Sequence, residues 1–320
     1  MSKKIYWQKV IQGGTFFMNI DISFITINYN SSSYTIKLLK SIKEFTTLNY
    51  EVVVVDNNSK RDDFEVLQDY CLSQEYIKLV KNTTNSGFAS GNMLGVPHAK
   101  GKYLFFVNND TKLLNDCSKI IKSYMDTHPD IALATAKIVD EKGGFSSSYK
   151  LFPSLTKELF GNSIARKLSK NNFPSNKIEL TSPTLVEVVS GACMFFRSDI
   201  FKKIDGFDTN FFLYCEEEDI SKRVWENGNK VIFLPDAKIY HEAGGSTTKS
   251  FDIQKEYYIS YKYLIYKHFN FITATVLYLL QIFKLFRRSF KRKDGFKLFL
   301  FALQGFDKKQ SLRFKQKADN

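Results

Sequence analysis

"DISFITINYN" at residues 21–30, "SYTIKLLKSIKEF" at 33–45 and "YEVVVVDNNS" at 50–59 together set the architecture. The first stretch is largely apolar with no clean alternation, and the third carries four consecutive valines. A strand covered on one face only would leave half of those valines in water, so both stretches read as strands covered on two faces. The segment between them repeats its apolar residues at helical spacing. A strand, crossover helix, strand unit follows, and the pattern continues outward from it. "DFEVLQDYCLSQ" (63–74) and "ASGNMLGVPHAKG" (89–101) read as helices, and "YIKLVKN" (76–82) and "KYLFFVNND" (102–110) as strands. Strands alternating with short helices predict an α/β fold with a doubly wound, mostly parallel sheet. Ligands of such a sheet gather at the carboxyl ends of its strands.

Gly143 to Ser182 is rich in Gly, Ser, Asn, Lys and Pro, and is long for a structureless connection, so a partly helical functional loop is expected. The strand "LVEVVSGACMFFR" (185–197), the segment "DIFKKIDGFD" (199–208), the helix "EEEDISKRVWENG" (216–228) and the strand "NKVIFLPDAKIYHE" (229–242) follow. Three parts are expected: an arm over residues 1–18, a domain over 19–250, and an aromatic, basic, helical extension over 251–320. The domain divides into two halves, at 19–135 and 136–250.

At 320 residues and 43% hydrophobic content the chain can bury one substantial core, which excludes a disordered protein. The net charge of +13 is uneven, since Lys284 to Asn320 holds 12 basic and 3 acidic residues. A basic segment points to an anionic surface. Within it, "FKLFRRSFKRKDGFKLFLFALQGF" (283–306) mixes Phe and Leu with Lys and Arg, as a helix lying on anionic lipid does. That favours a membrane surface over nucleic acid. The uninterrupted apolar run from Phe271 to Leu280 is too short to span a bilayer. Lys3 and Lys4 are followed by Gln8, Lys9 and Gln12 where a secretion signal requires a continuous apolar core. Cys71, Cys117, Cys193 and Cys215 form no C-x-x-C pair and read as reduced, buried thiols. These features predict a cytoplasmic protein, peripheral at the inner face of the cell membrane.

The chemistry lies at the strand ends. Asp56 and Asn58 offer a carboxylate and an amide to the imide of a pyrimidine, although "DNNS" is also a good Asx turn. Asp110 closes "VNND" as a hard oxygen ligand for a cation, or as a turn residue. Glu216, Glu217, Glu218 and Asp219 follow an apolar aromatic stretch. Such a setting raises a carboxylate towards the pKa of a useful base. Asp219 stands ready for an i,i+4 pair with Arg223. His241 ends its strand beside Glu242, as a metal ligand or as a hydrogen-bonded strand-end imidazole.

Taken together, "ITINYNS", "EVVVVDNNS", "NSGFASGNMLGVPHAKGKYLFFVNNDT", "VSGACMFF", "IDGFDTNFFLYCEEEDISKRVWENG" and "VIFLPDAKIYHEAGGS" resemble glycosyltransferase family 2. The resemblance is greatest to its rhamnosyltransferase-like branch, which builds bacterial surface polysaccharides. It implies a GT-A type domain and an inverting transfer assisted by Mg²⁺ or Mn²⁺. The donor would be a nucleotide-diphosphate sugar, carrying UDP or dTDP, with rhamnose among the sugars of the branch. The acceptor would be a glycan or lipid-linked glycan. The resemblance places the donor on Asn28, Asn30, Asp56, Asn58, Asn85, Gly87 and Asn108, and the metal on Asp110 and His241. It makes Glu217 the catalytic base, with Glu216 as a second acid. In a helix three successive glutamates cannot all face one cleft. Glu216 is expected to join the Asp219–Arg223 pair, and Glu218 to play little part. A sugar nucleotidyltransferase is the main rival, but the first strand lacks the Gly-rich basic loop such enzymes carry. A noncatalytic glycan-binding protein is the other.

Overall fold

The computed structural model describes residues 20–168, 173–176, 178–242, 244, 250–291 and 293–316, so the expected arm over 1–18 lies outside the described residues. β1 (Ile22–Asn28), β2 (Tyr50–Asp56) and β3 (Ile77–Lys81) are parallel, connected by α1 (Ser32–Phe45) and α2 (Arg61–Leu72). α3 (Gly87–Gly95) then leads to β4 (Tyr103–Val107), which returns to the other side of β1. The reversal makes a switch point between β1 and β4, where the strand ends leave a crevice. All four valines of β2 are fully buried. Val52 and Val54 pack with Leu38 and Leu67 on one face, and Val53 and Val55 with Ala89 and Met93 on the other. Each contributes about 1.5–3 kcal/mol by leaving water, which is why the run tolerates no polar residue.

The second half comprises β5 (Thr111–Leu113), α4 (Cys117–Thr127), β6 (Ile131–Val139), β7 (Phe145–Ser146), β8 (Tyr149–Lys150), α5 (Leu155–Leu168), β9 (Thr184–Leu185), β10 (Val188–Val189), β11 (Cys193–Arg197), α6 (Ser198–Lys203), α7 (Glu216–Glu226) and β12 (Lys230–His241). The main path runs β3-β2-β1-β4-β11-β6-β12-β5, with β11 antiparallel to both neighbours. The expected strand at 185–197 is broken. β9 pairs with β12 and β10 with β8, and only β11 enters the centre of the main sheet. β12 shifts register between Leu234 and Lys238, where Pro235 has no amide to give the ladder. The loop over Gly143–Ser182 is partly helical as expected, with Gly161 at φ 83° dividing α5 into two pieces.

α8 (Phe251–His268), α9 (Phe271–Ser289) and α10 (Lys293–Leu303) follow. Tyr261, Leu264 and Ile265 of α8 share a core with Phe211, Cys215, Ile220 and Phe233. The boundary expected at residue 250 therefore runs through a common hydrophobic cluster. Polar contacts reinforce it. Asp219, fully buried, meets Arg223 at 2.7 Å as its spacing predicts, and also Lys267 at 2.5 Å and His268 at 2.8 Å. Burial opposes the Asp219 charge, but His268, Arg223 and Lys267 outweigh it and hold the carboxyl below its ordinary range. Among the described residues no helix is long and apolar enough to cross a membrane. The four cysteines are free and buried, as expected.

Candidate active site

A cavity of about 400 Å³ opens at the carboxyl ends of β1, β2 and β4. Tyr29, Asn57, Asn85, Gly87, Asn108 and Asn109 are among the residues that line it. Asn57 organises this floor: its amide donates to Asn85 Oδ1 (2.9 Å) and the Gly87 carbonyl (3.1 Å), and its carbonyl oxygen accepts from Asn82 and Ser86. Gly87 holds φ +80°, and a Cβ there would lie 2.1 Å from the Phe212 carbonyl oxygen. The same carbonyl accepts the Phe88 amide at 2.7 Å, tying α3 to the loop before α7. Only glycine fits this approach.

Of the expected donor contacts, Asn85, Gly87 and Asn108 line the cavity, whereas Asn28, Asp56, Asn30 and Asn58 are not among its lining residues. The Asn28 amide donates to Asp56 (2.9 Å), Ser59 (3.0 Å) and Asp63 (2.9 Å), and its oxygen accepts from Thr35 (2.8 Å). Asp56 accepts further from the Ser59 amide at 3.0 Å. Asn30 and Asn58 hold left-handed φ angles of 50° and 67°, which asparagine tolerates better than most residues. Asn57 and Asn109 belong to motifs already legible, but Ile253, Leu312 and Gln316, which close the other side, carry no local signal. Residues 311–316 are fixed there by contacts to α8 and to the loop before α7. The Ser311 hydroxyl and Leu312 amide donate to Glu256 at 3.0 and 2.7 Å, and Arg313 donates to the Thr209 carbonyl at 2.6 Å.

Two residues beyond Asn108, Asp110 meets His241: Oδ1 lies 3.2 Å from Nε2. The pairing of β12 with β5 aligns His241 with Thr111, and the Glu242 amide donates to the Asp110 carbonyl at 3.0 Å. Glu242 in turn accepts the Tyr34 hydroxyl at 3.0 Å. Among the described residues no group of three or more His, Cys, Asp or Glu side chains gathers as a ready metal cage.

The acidic run opens α7 behind two consecutive left-handed residues, Tyr214 (φ 72°) and Cys215 (φ 68°). Such strain in bulky residues is retained where the surroundings enforce it. Lys150, brought in on β8, reaches Glu217 Oε1 at 2.8 Å and Glu218 Oε1 at 2.6 Å. Burial works against the Glu217 charge, yet the Lys150 ammonium outweighs it and leaves Glu217 below the ordinary carboxylate range. Burial, followed by the Glu217 charge, raises Glu216 well above that range and Glu218 to about 7. The second carboxylate oxygen of each glutamate is buried without a hydrogen-bond partner among the described residues. Glu218 thus shares the lysine instead of standing apart as expected, and the partners found at Asp219 are Arg223, Lys267 and His268, not Glu216. Glu217 is linked to the donor cavity through the turn before β11. A Cβ on Gly191 would sit 3.8 Å from its carboxyl carbon, and the next residue, Ala192, accepts the Asn108 amide at 3.1 Å.

The family model described as Glycosyl transferase family 2 matches residues 23–205, more than half of the chain. The chain belongs to that family. This family 2 glycosyltransferase is 24% identical over 230 residues to the rhamnosyltransferase WbbL of Escherichia coli, covering 69% of this chain and 83% of that one. It is 24% identical over 223 residues to the poly(ribitol-phosphate) β-N-acetylglucosaminyltransferase TarS of Staphylococcus aureus, covering 68% of this chain but 35% of TarS. Among solved structures, S. aureus TarS 1–349 in complex with UDP-GlcNAc superimposes with a TM-score of 0.54 at 19% identity, over 90% of this chain and 80% of that one. GalNAc-T7 with UDP, GalNAc and Mn²⁺ gives a TM-score of 0.56 at 17% identity, over 76% and 48%. The doubly wound, mostly parallel sheet is therefore the GT-A fold read from the sequence.

Proposed function

We infer that this glycosyltransferase moves one sugar, with inversion, from a UDP- or dTDP-linked donor to a hydroxyl of a glycan or lipid-linked glycan in cell-surface polysaccharide synthesis. The observation that carries this reading is the convergence at the end of β4. Asn108 lines the cleft, Asp110 meets His241, and the Asn108 amide is tied to the link that borders Glu217. Asp110 and His241 offer one oxygen and one nitrogen to a cation, a set that suits Mg²⁺ or Mn²⁺ when diphosphate and water complete the shell. Such an ion would supply positive charge for the leaving diphosphate. Asn85, Gly87 and Asn108 hold the nucleotide end of the donor. Glu217, kept anionic by Lys150, accepts the proton of the acceptor hydroxyl as its oxygen attacks the anomeric carbon opposite the diphosphate. One displacement inverts that centre. Glu216, held protonated, stands as a second acid.

The sugars named for the relatives, joined to the expected pyrimidine nucleotides, make UDP-GlcNAc and dTDP-rhamnose the first donors to try. The full chain with Mg²⁺ or Mn²⁺ is expected to release UDP or dTDP slowly from its donor without acceptor, and faster with one. Release of pyrophosphate, or no reaction with any nucleotide sugar, would overturn the reading.

The same reading places the enzyme at the inner face of the membrane. α9 exposes Ile272, Val276, Leu279, Phe283 and Phe286 at intervals of three and four, which form one stripe continued by Phe290 at its C-cap, and α10 exposes Phe296, Leu300 and Leu303. Exposed Arg287, Lys291 and Lys297 accompany them, as an anionic lipid surface requires. α8 lines the core, so substitution tests this better than deletion. The double variant Leu279→Asp, Phe283→Asp is expected to lower sedimentation with phosphatidylglycerol vesicles about tenfold or more, at about 0.8 kcal/mol per CH₂ withdrawn from lipid. Unchanged sedimentation of the variant would remove this face from membrane binding.

A further inference from the structure

The geometry points to an acceptor subsite that no motif announces: a cavity between α8, the α9–α10 junction and the Tyr214 loop, which takes the terminal saccharide of the acceptor glycan. This rests on the transferase reading, and gives that reading its second substrate site. The cavity measures about 570 Å³ and is lined by Tyr214, Gln254, Tyr257, Tyr258, Arg288 and Asp294. Ser250 and Ile253 line both it and the donor cleft, so the two spaces are neighbours across the start of α8.

Its chemistry is that of a sugar site. A saccharide presents apolar C–H faces that pack on aromatic rings, and hydroxyls that need donors and acceptors at fixed angles. Tyr214 and Tyr257 stand edge to face with centroids 5.9 Å apart, and Tyr257 and Tyr258 likewise at 5.2 Å. This gives ring faces in more than one plane. Arg288 donates to Gln254 Oε1 at 3.1 Å and Asp294 Oδ2 at 2.9 Å, so the charge is balanced, as suits an uncharged sugar. The Arg288 Nε is nevertheless buried without a partner among the described residues. A buried unpaired donor is costly, and a sugar hydroxyl entering here would satisfy it.

The position suits the chemistry as well. Tyr214 precedes Glu216 by two residues and Glu217 by three, in the strained left-handed turn that opens α7. Tyr214 thus stands in the turn that leads into the helix of the base, and a saccharide held on Tyr214 and Tyr257 would lie between that helix and Arg288. Arg288 and Asp294 sit on the two helices whose outer faces carry the exposed Phe and Leu residues. A lipid-linked glycan anchored beside those helices would deliver its sugar end here.

The test is saturation-transfer NMR on the full chain with methyl β-N-acetylglucosaminide, methyl α-rhamnoside and methyl β-galactoside, with UDP as an independent probe of the donor cleft. At least one glycoside is expected to receive saturation, falling at least fivefold in Tyr257→Ala and in Arg288→Gln, with UDP saturated as in the unaltered chain. Tyr257→Phe keeps the ring and is expected to retain the signal. If Tyr257→Ala does not fold, Arg288→Gln, at a half-buried position, decides. Saturation of UDP but of no glycoside overturns the subsite alone. Equal glycoside signals in the unaltered chain and the folded variants overturn it too. Glycoside binding without UDP binding would instead sink the donor reading and leave the saccharide site standing.

Discussion

Glu217→Gln is expected to lower kcat by about two to four orders of magnitude, with donor binding nearly unchanged. That is about 3–5 kcal/mol of lost transition-state stabilisation. Gln keeps the size of the side chain and still offers Lys150 an oxygen, so the pair on β8 and α7 survives in altered form. It loses the ability to take a proton. Glu216→Gln should be far milder, because burial and the Glu217 charge already hold Glu216 protonated well above the usual carboxylate range, and Gln resembles that form. The pH profile provides a second readout. The Lys150 ammonium overcomes burial and depresses Glu217, so the rate should be flat near neutrality and fall only as pH drops through that depressed value. Lys150→Met removes the attraction and should move the acid limb to higher pH. Transfer to a true acceptor under saturating donor decides the matter: an active Glu217→Gln beside a dead Glu216→Gln would reassign the base.

Asp110→Ala is the second large effect, with a loss of metal-dependent turnover on the order of 10²–10³ or more. Asp110 is 5% exposed, so the variant needs a melting curve beside its kinetics. The Asp110 main-chain carbonyl, which accepts the Glu242 amide, is retained by alanine, and the strand pairing around it should persist. His241→Ala should be gentler and raise the concentration of Mn²⁺ or Mg²⁺ needed for half-maximal rate, since water and diphosphate can fill its position. Donor hydrolysis titrated with Mn²⁺ measures both. Undiminished, metal-dependent turnover in a folded Asp110→Ala protein would remove that residue from the site.

β1, β2 and β4 were legible because a strand buried on both faces is largely apolar, whereas the half-exposed edge strand β3 was legible from its place in the alternation of strands and helices. The stretch at 185–197 was misread as one strand because its residues are all compatible with strand. The breaks after Leu185 and after Val189 come from pairing with four different strands, which is tertiary information. At the site, strand-end polar residues announce a crevice but not which of them faces it. Asn28 and Asp56 bond to each other while Asn57 and Asn108 line the cleft. Lys150 lies 67 positions before Glu217, and no local pattern connects them. The far wall is harder still, since Leu312 and Gln316 are ordinary residues made important only by where Glu256, through the Leu312 amide, and Asp252, through Lys315, hold their segment.

The contacts of Asp219 have a consequence in time. A ribosome delivers α7 well before α8, and His268 follows Asp219 by 49 positions. At about 5–20 residues per second, that separation corresponds to roughly 2–10 s of synthesis. During that interval Glu217 and Glu218 already have Lys150 upstream of them, whereas Asp219 has Arg223 alone, and the core still lacks Tyr261, Leu264 and Ile265. The base thus meets its counter-charge from chain already made, while the burial of Asp219 among three cations is completed only when α8 is added.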